Sequence, residues 1–409
     1  MEPTIMRKID YWVGIPICFA LTLYYKCKQL IGSREPNVGH DPRHVLFIEL
    51  AEMGSTVVLS PAIRAFKQLY PETTLYFLLF ENIKDSLDVV QMIDEQNVIT
   101  IDSSSLRSLV RDTIRFVRFS RSVKIDTTIN FEIFARYSAI LSYLSGAKRR
   151  VGFHRYSQEG LYTGDFLTHK VMYNSHMHMA HTFLSLIYAL QETGDQVPLV
   201  KTQINASCDI PKVASDDGSK ARLWQILKAE NPDISCDHKL VVVNPNASKL
   251  IRIRKWPLDY YAKLVRRLID DEQIYVAIIG VASEKPDADY ICQTVKSERV
   301  LDLTGKTTLK ELIDLFNIGD ILITNDSGPA HFAALTSIHT VVFFGPESPH
   351  IYQPLSDRCT VMYANYACSP CVSVFNQRLS ACNDNLCLQH IGVDEVYEAV
   401  QAILASETP

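Results

Sequence analysis

Short apolar runs recur along this chain, separated by longer amphipathic stretches, and that alternation limits the fold more than any other feature. In the first half the runs are 45–50 (VLFIEL), 75–80 (LYFLLF), 98–101 and 125–129, with helical patterns such as 56–69 and 104–119 between them. Runs of this length suit strands buried on both faces, and their alternation with helices implies a parallel sheet. A polar crossing over 203–239, rich in Asn, Asp, Ser and Pro, interrupts the pattern. It restarts with 240–244 (LVVVN), 274–279 (IYVAII), 321–324 (ILIT) and 340–344 (TVVFF). The sequence therefore predicts an α/β protein of two doubly wound, Rossmann-like domains, 44–205 and 238–405, preceded by a separate segment, 1–35. Ligands of such sheets bind at the carboxyl ends of the strands.

A net charge of −5 argues against nucleic acid as a partner, because binding a phosphate backbone needs a basic face. Two local basic clusters, 148–150 (KRR) and 252–255 (RIRK), are candidate anion sites, with a solvated face as the plainer reading. The ten cysteines are scattered in a long chain, which fits a reduced, cytoplasmic protein rather than a disulfide scaffold.

Residues 11–25 (YWVGIPICFALTLYY) carry no charge, and Arg7, Lys8, Lys26, Lys28 and Arg34 flank them. A helix of that length spans about 22 Å, short of a hydrocarbon core of roughly 30 Å. Gly14 and Pro16 weaken it further, and no small-x-small cleavage site follows. The segment is predicted to lie in a membrane interface, rings at headgroup level and lysines on lipid phosphates. Packing on the protein's own body is the alternative, ahead of a signal sequence or a full span.

Three loops carry candidate chemistry. In 324–335 (TNDSGPAHFAAL) a strand ends, Asn325, Asp326 and Ser327 have capping character, and Gly328–Pro329 opens a helix whose backbone N–H groups suit an anion. An ordinary capped turn remains the plain alternative. In 244–257 (NPNASKLIRIRKWP) four cationic residues precede Trp256, a supply of phosphate ligands. Two anion-friendly loops after strands of one sheet suggest a diphosphate held between them. In 49–68 (ELAEMGSTVVLSPAIRAFKQ) a strand feeds a glycine loop with two carboxylates, Glu49 and Glu52, at its end. Cys368, Cys371, Cys382 and Cys387, with His390 beyond, leave zinc, a redox pair and plain packing all open. His176, His178 and His181 have metal-ligand spacing but no nearby carboxylate, so no metal site is expected there.

Together these motifs resemble glycosyltransferase family 9, which includes the ADP-heptose:lipopolysaccharide heptosyltransferases; the similarity runs from about His44 to Leu404. The resemblance implies a GT-B fold, two Rossmann-like domains facing a cleft, with the donor in the C-terminal one. It implies inverting, metal-independent transfer of a heptose-like sugar from a nucleotide-sugar donor, ADP-linked, to a lipid-linked saccharide, with no further cofactor. Such an enzyme works in lipopolysaccharide or cell-surface polysaccharide synthesis, peripheral on the cytoplasmic face of the inner membrane. Carried over by position, Arg254, with Lys255 beside it, faces the diphosphate. Ser327, Gly328 and Pro329 offer backbone to the phosphates, and Asp326 fixes that loop or meets the sugar. Glu284 is the implied ribose partner, and His331 supports the signature helix. One place departs from the family: its aspartate after Met-Gly, the implied general base, is Ser55 here. A serine hydroxyl cannot do that work unaided. Glu52 is the expected replacement, oriented by Ser55, with no dedicated base, or Asp326, as the alternatives. An epimerase of the same fold and a non-catalytic sugar-nucleotide binder are the competing functions.

Overall fold

The computed structural model describes residues 1–31, 41–157, 160–192, 196–247 and 251–406. The chain divides into two compact units, Met1–Asp209 and Ile210–Pro409.

The first unit is built on six parallel strands: β1 (His44–Ile48), β2 (Thr74–Phe80), β3 (Val98–Ile101), β4 (Thr127–Asn130), β5 (Arg149–Phe153) and β6 (His169–Val171). Their order is β3-β2-β1-β4-β5-β6. Phe47 of β1 lies in register with Phe77 of β2 and Ile129 of β4, and all three are fully buried. The second unit repeats the plan with β7 (Lys239–Asn244), β8 (Ile274–Ile278), β9 (Val300–Asp302), β10 (Ile321–Asn325), β11 (His339–Phe344) and β12 (Cys359–Tyr363), ordered β12-β11-β10-β7-β8-β9. Each sheet is thus a doubly wound, Rossmann-like sheet. Each reverses its strand order beside its first strand, at β1/β4 and at β7/β10. Crevices for ligands open at the carboxyl ends of such strand pairs.

Three local readings of the sequence change. The stretch 56–69 is two helices, α3 (Met53–Val58) and α4 (Ser60–Leu69), rather than one. Pro61 lies in the first turn of α4, where its missing N–H costs nothing, whereas within a continuous helix its ring would meet the Val57 carbonyl. The Ser60 hydroxyl takes that carbonyl instead, at 2.6 Å. In the basic cluster 148–150, Lys148 is exposed, Arg149 pairs with Asp126 and the third cation is buried. Arg150 is 2% exposed; it donates to the carbonyls of Phe166 (2.8 Å) and Ala147 (2.5 Å). Its guanidinium also lies over the rings of Tyr25 and Tyr143.

The third concerns the N-terminus, which forms two helices, α1 (Pro3–Trp12) and α2 (Gly14–Leu30). Residues 32–35 of the predicted segment lie outside the described residues. One face of α2 packs on the first unit: Cys18 and Tyr25 are buried with Ala139, Ile140 and Phe166. Gly14 permits the close approach, since a Cβ there would stand 2.8 Å from the Cβ of Arg136. Asp10 of α1 accepts from the backbone N–H of Arg136 (3.1 Å) and Tyr137 (2.9 Å) and from Arg136 Nη1 (3.0 Å), so it caps the helix Arg136–Leu144. Trp12, Phe19, Leu23 and Tyr24 remain exposed. Among the described residues no helix is long and apolar enough to cross a membrane.

Candidate functional site

In the second unit, β7 and β10 end side by side, and the loops leaving them are knitted together by asparagines. Asn325, the last residue of β10, accepts from the Trp256 N–H at 2.7 Å and donates to the Asn246 carbonyl at 3.1 Å. Asn385 holds the other side of the basic loop, donating to the carbonyls of Ile253 (3.0 Å) and Lys255 (2.8 Å). Trp256 anchors it below, stacked on Phe343 at 4.6 Å with its indole N–H on the Ile391 carbonyl.

On this frame the structure brings together most of the residues singled out from the sequence. Arg254 Nη1 meets Asp326 Oδ2 at 3.2 Å, both largely buried. The pair joins the end of the basic loop to the start of the signature loop. Two donors here, Arg254 Nε and Asn246 Nδ2, are buried and unpaired among the described residues. Buried donors are seldom left so, and an acceptor-rich ligand would satisfy them. A Cβ on Gly280, just past β8, would sit 2.8 Å from Glu284 Oε2 and 3.1 Å from Asn246 Nδ2, so glycine lets these side chains converge. The Glu284 carboxylate also accepts from the Val281 N–H at 2.9 Å.

Lys255 is engaged within the protein, with Asp287 at 2.5 Å and Asn246 Oδ1 at 3.2 Å. The signature helix, Gly328–Ala333, is short; Ser327 precedes it in extended conformation, Pro329 lies in its first turn and His331 near its end. A Cβ on Gly328 would touch only Phe332, at 3.9 Å, so the space beside it is open. Lys249, the first cation of the basic loop, lies outside the described residues.

In the first unit the corresponding crossing is β1/β4. Glu132, two residues past β4, accepts from the N–H groups of Leu50 (2.7 Å) and Ala51 (3.1 Å) and so fixes the loop leaving β1. Glu49 is buried, whereas Glu52 is exposed at the start of α3. Ser55 Oγ donates to Glu52 Oε2 at 3.3 Å. Sequence reasoning missed Glu132 and Asn385, and it read Asn325 as a cap rather than as the link to the basic loop. Each lies just past or before an element boundary, and for Glu132 and Asn325 that position beside a first strand was the available signal.

The remaining candidates do other work. His178 caps its helix, accepting from the Ala180 N–H at 3.2 Å, and His181 contacts the Cys208 thiol. All ten cysteines are free thiols. Burial, then the neighbouring thiols of Cys371, Cys382 and Cys368, pushes Cys387 up to about 11. Among the described residues no group of three or more His, Cys, Asp or Glu is placed to hold a metal ion.

The chain matches the profile of glycosyltransferase family 9 (heptosyltransferase) over residues 121–379. That stretch includes both loops of the β7/β10 crossing and leaves out Asn385, Glu52 and Ser55. Lipooligosaccharide heptosyltransferase 2 of Haemophilus influenzae is 37% identical over 112 residues, 27% of this chain and 32% of that protein. Its namesake in Campylobacter jejuni is 29% identical over 182 residues, 44% of this chain and 55% of that protein. The chain thus spans about a third and about half of these two curated relatives. Among solved structures, the E. coli ADP-heptose lps heptosyltransferase II superposes with a TM-score of 0.68 over 89% of this chain and 99% of that one, at 20% identity. That last likeness is one of fold, whereas the profile match covers more than half of the sequence and runs through the loops that build the site: the chain belongs to glycosyltransferase family 9.

Proposed function

We propose that the protein is an inverting glycosyltransferase that moves heptose from ADP-heptose to a lipid-linked saccharide in lipopolysaccharide synthesis. The observation that carries this reading is the β7/β10 crossing, where the buried Arg254–Asp326 pair and the unpaired donors of Arg254 and Asn246 face demands that a diphosphate would meet. Arg254 and the Ser327–Gly328 backbone hold the phosphates, and Glu284 takes the ribose. Asp326 orients the arginine; Pro329 and His331 shape the helix behind it. Lys255, through Asn246, keeps the basic loop in place.

The reaction needs a base for the acceptor hydroxyl. In this reading Glu52, oriented by Ser55, takes the proton as the acceptor oxygen attacks the anomeric carbon from the face opposite the diphosphate. The bond from that carbon to the phosphate oxygen breaks, and ADP leaves with the electron pair. Charge developing on the diphosphate is met by Arg254 rather than by a metal ion or other cofactor. The acceptor is lipid-linked, so the enzyme works peripherally on the cytoplasmic face of the inner membrane, with the exposed face of α1 and α2 against the headgroups. ADP release from ADP-heptose, dependent on an acceptor glycolipid, tests the proposal. Donor binding without acceptor-dependent release would reduce the protein to a sugar-nucleotide binder.

A further inference from the structure

The carboxyl edge of the first sheet carries a cavity. β5 ends at Phe153, and His154 continues alongside β6, its N–H on the Val171 carbonyl at 2.9 Å. His154 and Arg155 form one wall of a cavity of about 180 Å³, and the stretch from Tyr162 to Asp165 forms the other. By the volume of liquid water this is room for about six molecules, the scale of a phosphate with part of a sugar ring. That wall requires glycine at Gly164: its φ is +92°, and a Cβ there would collide with Phe166 at 2.2 Å.

The charge balance of the cavity is positive. Asp165 is already neutralised, by Lys26 at 2.7 Å and by Lys170. Arg155 lies over the Tyr162 ring at 5.8 Å, and no carboxylate among the described residues pairs with it. Stacking uses the guanidinium's face and leaves its N–H edge for an acceptor. The wall is also tied to α2. Thr22 Oγ1 accepts from the Asp165 N–H at 2.8 Å and lies 3.3 Å from the Tyr162 hydroxyl, next to the Lys26 contact. The other face of α2 is the one that leaves Phe19, Leu23 and Tyr24 exposed. The cavity therefore adjoins the helix proposed to meet the membrane, on the sheet edge that also carries Glu52.

We propose that this cavity binds a phosphate group on the membrane-proximal part of the lipid-linked saccharide acceptor, with Arg155 as its principal ligand; this rests on the transferase reading above. The test titrates the full-length protein, parent and Arg155→Gln, with phosphatidylcholine vesicles carrying diphosphoryl lipid A and, separately, with vesicles carrying phosphatidylglycerol. Loss of one charge-assisted contact should weaken binding to lipid A vesicles about ten- to hundredfold. Arg155→Lys, which keeps the charge, should lose less, and both variants should bind phosphatidylglycerol vesicles like the parent. Unchanged lipid A affinity in Arg155→Gln overturns the proposal. So does an equal loss on both vesicles, which would make the anion a phospholipid headgroup. Calorimetry with ADP on the same proteins reads the donor site separately: no ADP binding by the parent sinks the transferase reading, while the vesicle comparison still decides this one.

Discussion

The Ser55 hydroxyl donates to the Glu52 carboxylate, Oγ to Oε2, at 3.3 Å. The two residues stand one turn apart, and the Ser55 N–H also bonds the Glu52 carbonyl at 3.1 Å. The position that holds the family's aspartate thus supports a neighbouring carboxylate. Upstream, Glu132 clamps the two N–H groups that precede Glu52 and fixes where the loop begins.

If Glu52 is the base, Glu52→Gln keeps the shape and removes the basicity. General-base catalysis is worth about 10²–10⁴-fold, so kcat should fall at least about a hundredfold with ADP affinity unchanged. Ser55→Ala, which removes only the orienting bond, should cost less. Acceptor-dependent ADP release at saturating donor measures both. A Glu52→Gln enzyme within a few-fold of the parent, with Asp326→Asn inactive, would move the base to the donor side.

The proposed donor site makes a separate demand. Arg254→Ala should weaken ADP binding about ten- to hundredfold, the scale of one charge-assisted hydrogen bond. It also leaves Asp326 buried without its partner, so the melting temperature should drop as well. Gly328→Val separates the two effects. The space beside Gly328 is open, so valine should fold normally and block the ligand alone. Calorimetry alongside a thermal melt reads both variants, and unchanged ADP affinity in both would remove this site.

What the sequence disclosed and what it hid follow one physical rule. Eight strands were legible, most of them because strands buried on both faces are written as nearly unbroken apolar runs; β4, which carries Thr127, Thr128 and Asn130, is an exception. β5 was not, because it opens with Arg149 and Arg150. Arg150 is buried by carbonyl and ring contacts that only the tertiary structure assembles. β6, β9 and β12 are short or edge strands with polar residues. The two loops that the structure brings together at β7/β10 were legible because both leave strands beside the crossing. The bonds of Asn325, Asn246 and Asn385 that join them are long-range, and spacing within each loop does not show them. The packing of α2 was hidden because a uniformly apolar stretch does not declare its buried side. Gly14, Cys18 and Tyr25, spaced by four and seven residues, are that side.

Asp10 should hold the N-terminal helices to the body. Its partner Arg136 is 4% exposed in its side chain. Asp10→Ala therefore leaves a buried cation uncompensated, at a cost on the order of 3 kcal/mol. Hydrogen exchange in α1 and at the start of the Arg136–Leu144 helix should rise, with ADP affinity unchanged. Equal protection in parent and variant would mean that the apolar contacts of α2 suffice.

The link from α2 to Asp165 should be acid-labile in a defined window. Burial tends to raise the Asp165 carboxyl, but the hydrogen bonds from Lys170 and Lys26 outweigh it and hold the group at about 2. A depressed carboxyl contributes stability that is present above its unfolded value, near 3.9, and is lost as pH falls through the folded one. Exchange protection of α2 should therefore be level above about pH 4 and fall between about pH 4 and 2. Asp165→Asn should abolish the step; a step that persists in the variant belongs to another group.

The membrane contact is best tested by point substitution, because α2 has two unlike faces. Deleting the N-terminal helices would uncover Ala139 and Ile140, remove Tyr25 from Arg150 and strip the Asp10 cap. A truncated protein could then lose solubility for reasons unrelated to lipid. Phe19 and Leu23 are 63% and 57% exposed. Replacing both with glutamate leaves the packed face intact, so the melting temperature should hold. Burying each apolar side chain is worth about 1.5–3 kcal/mol, so losing both should weaken binding to phosphatidylglycerol vesicles at least about a hundredfold. Lys28, in the last turn of α2, is exposed and available to lipid phosphates; Lys28→Glu should add a smaller, salt-dependent loss. Co-sedimentation at two salt concentrations separates the apolar from the ionic part. If the double variant sediments with vesicles as the parent does, the exposed face of α2 meets something other than a bilayer.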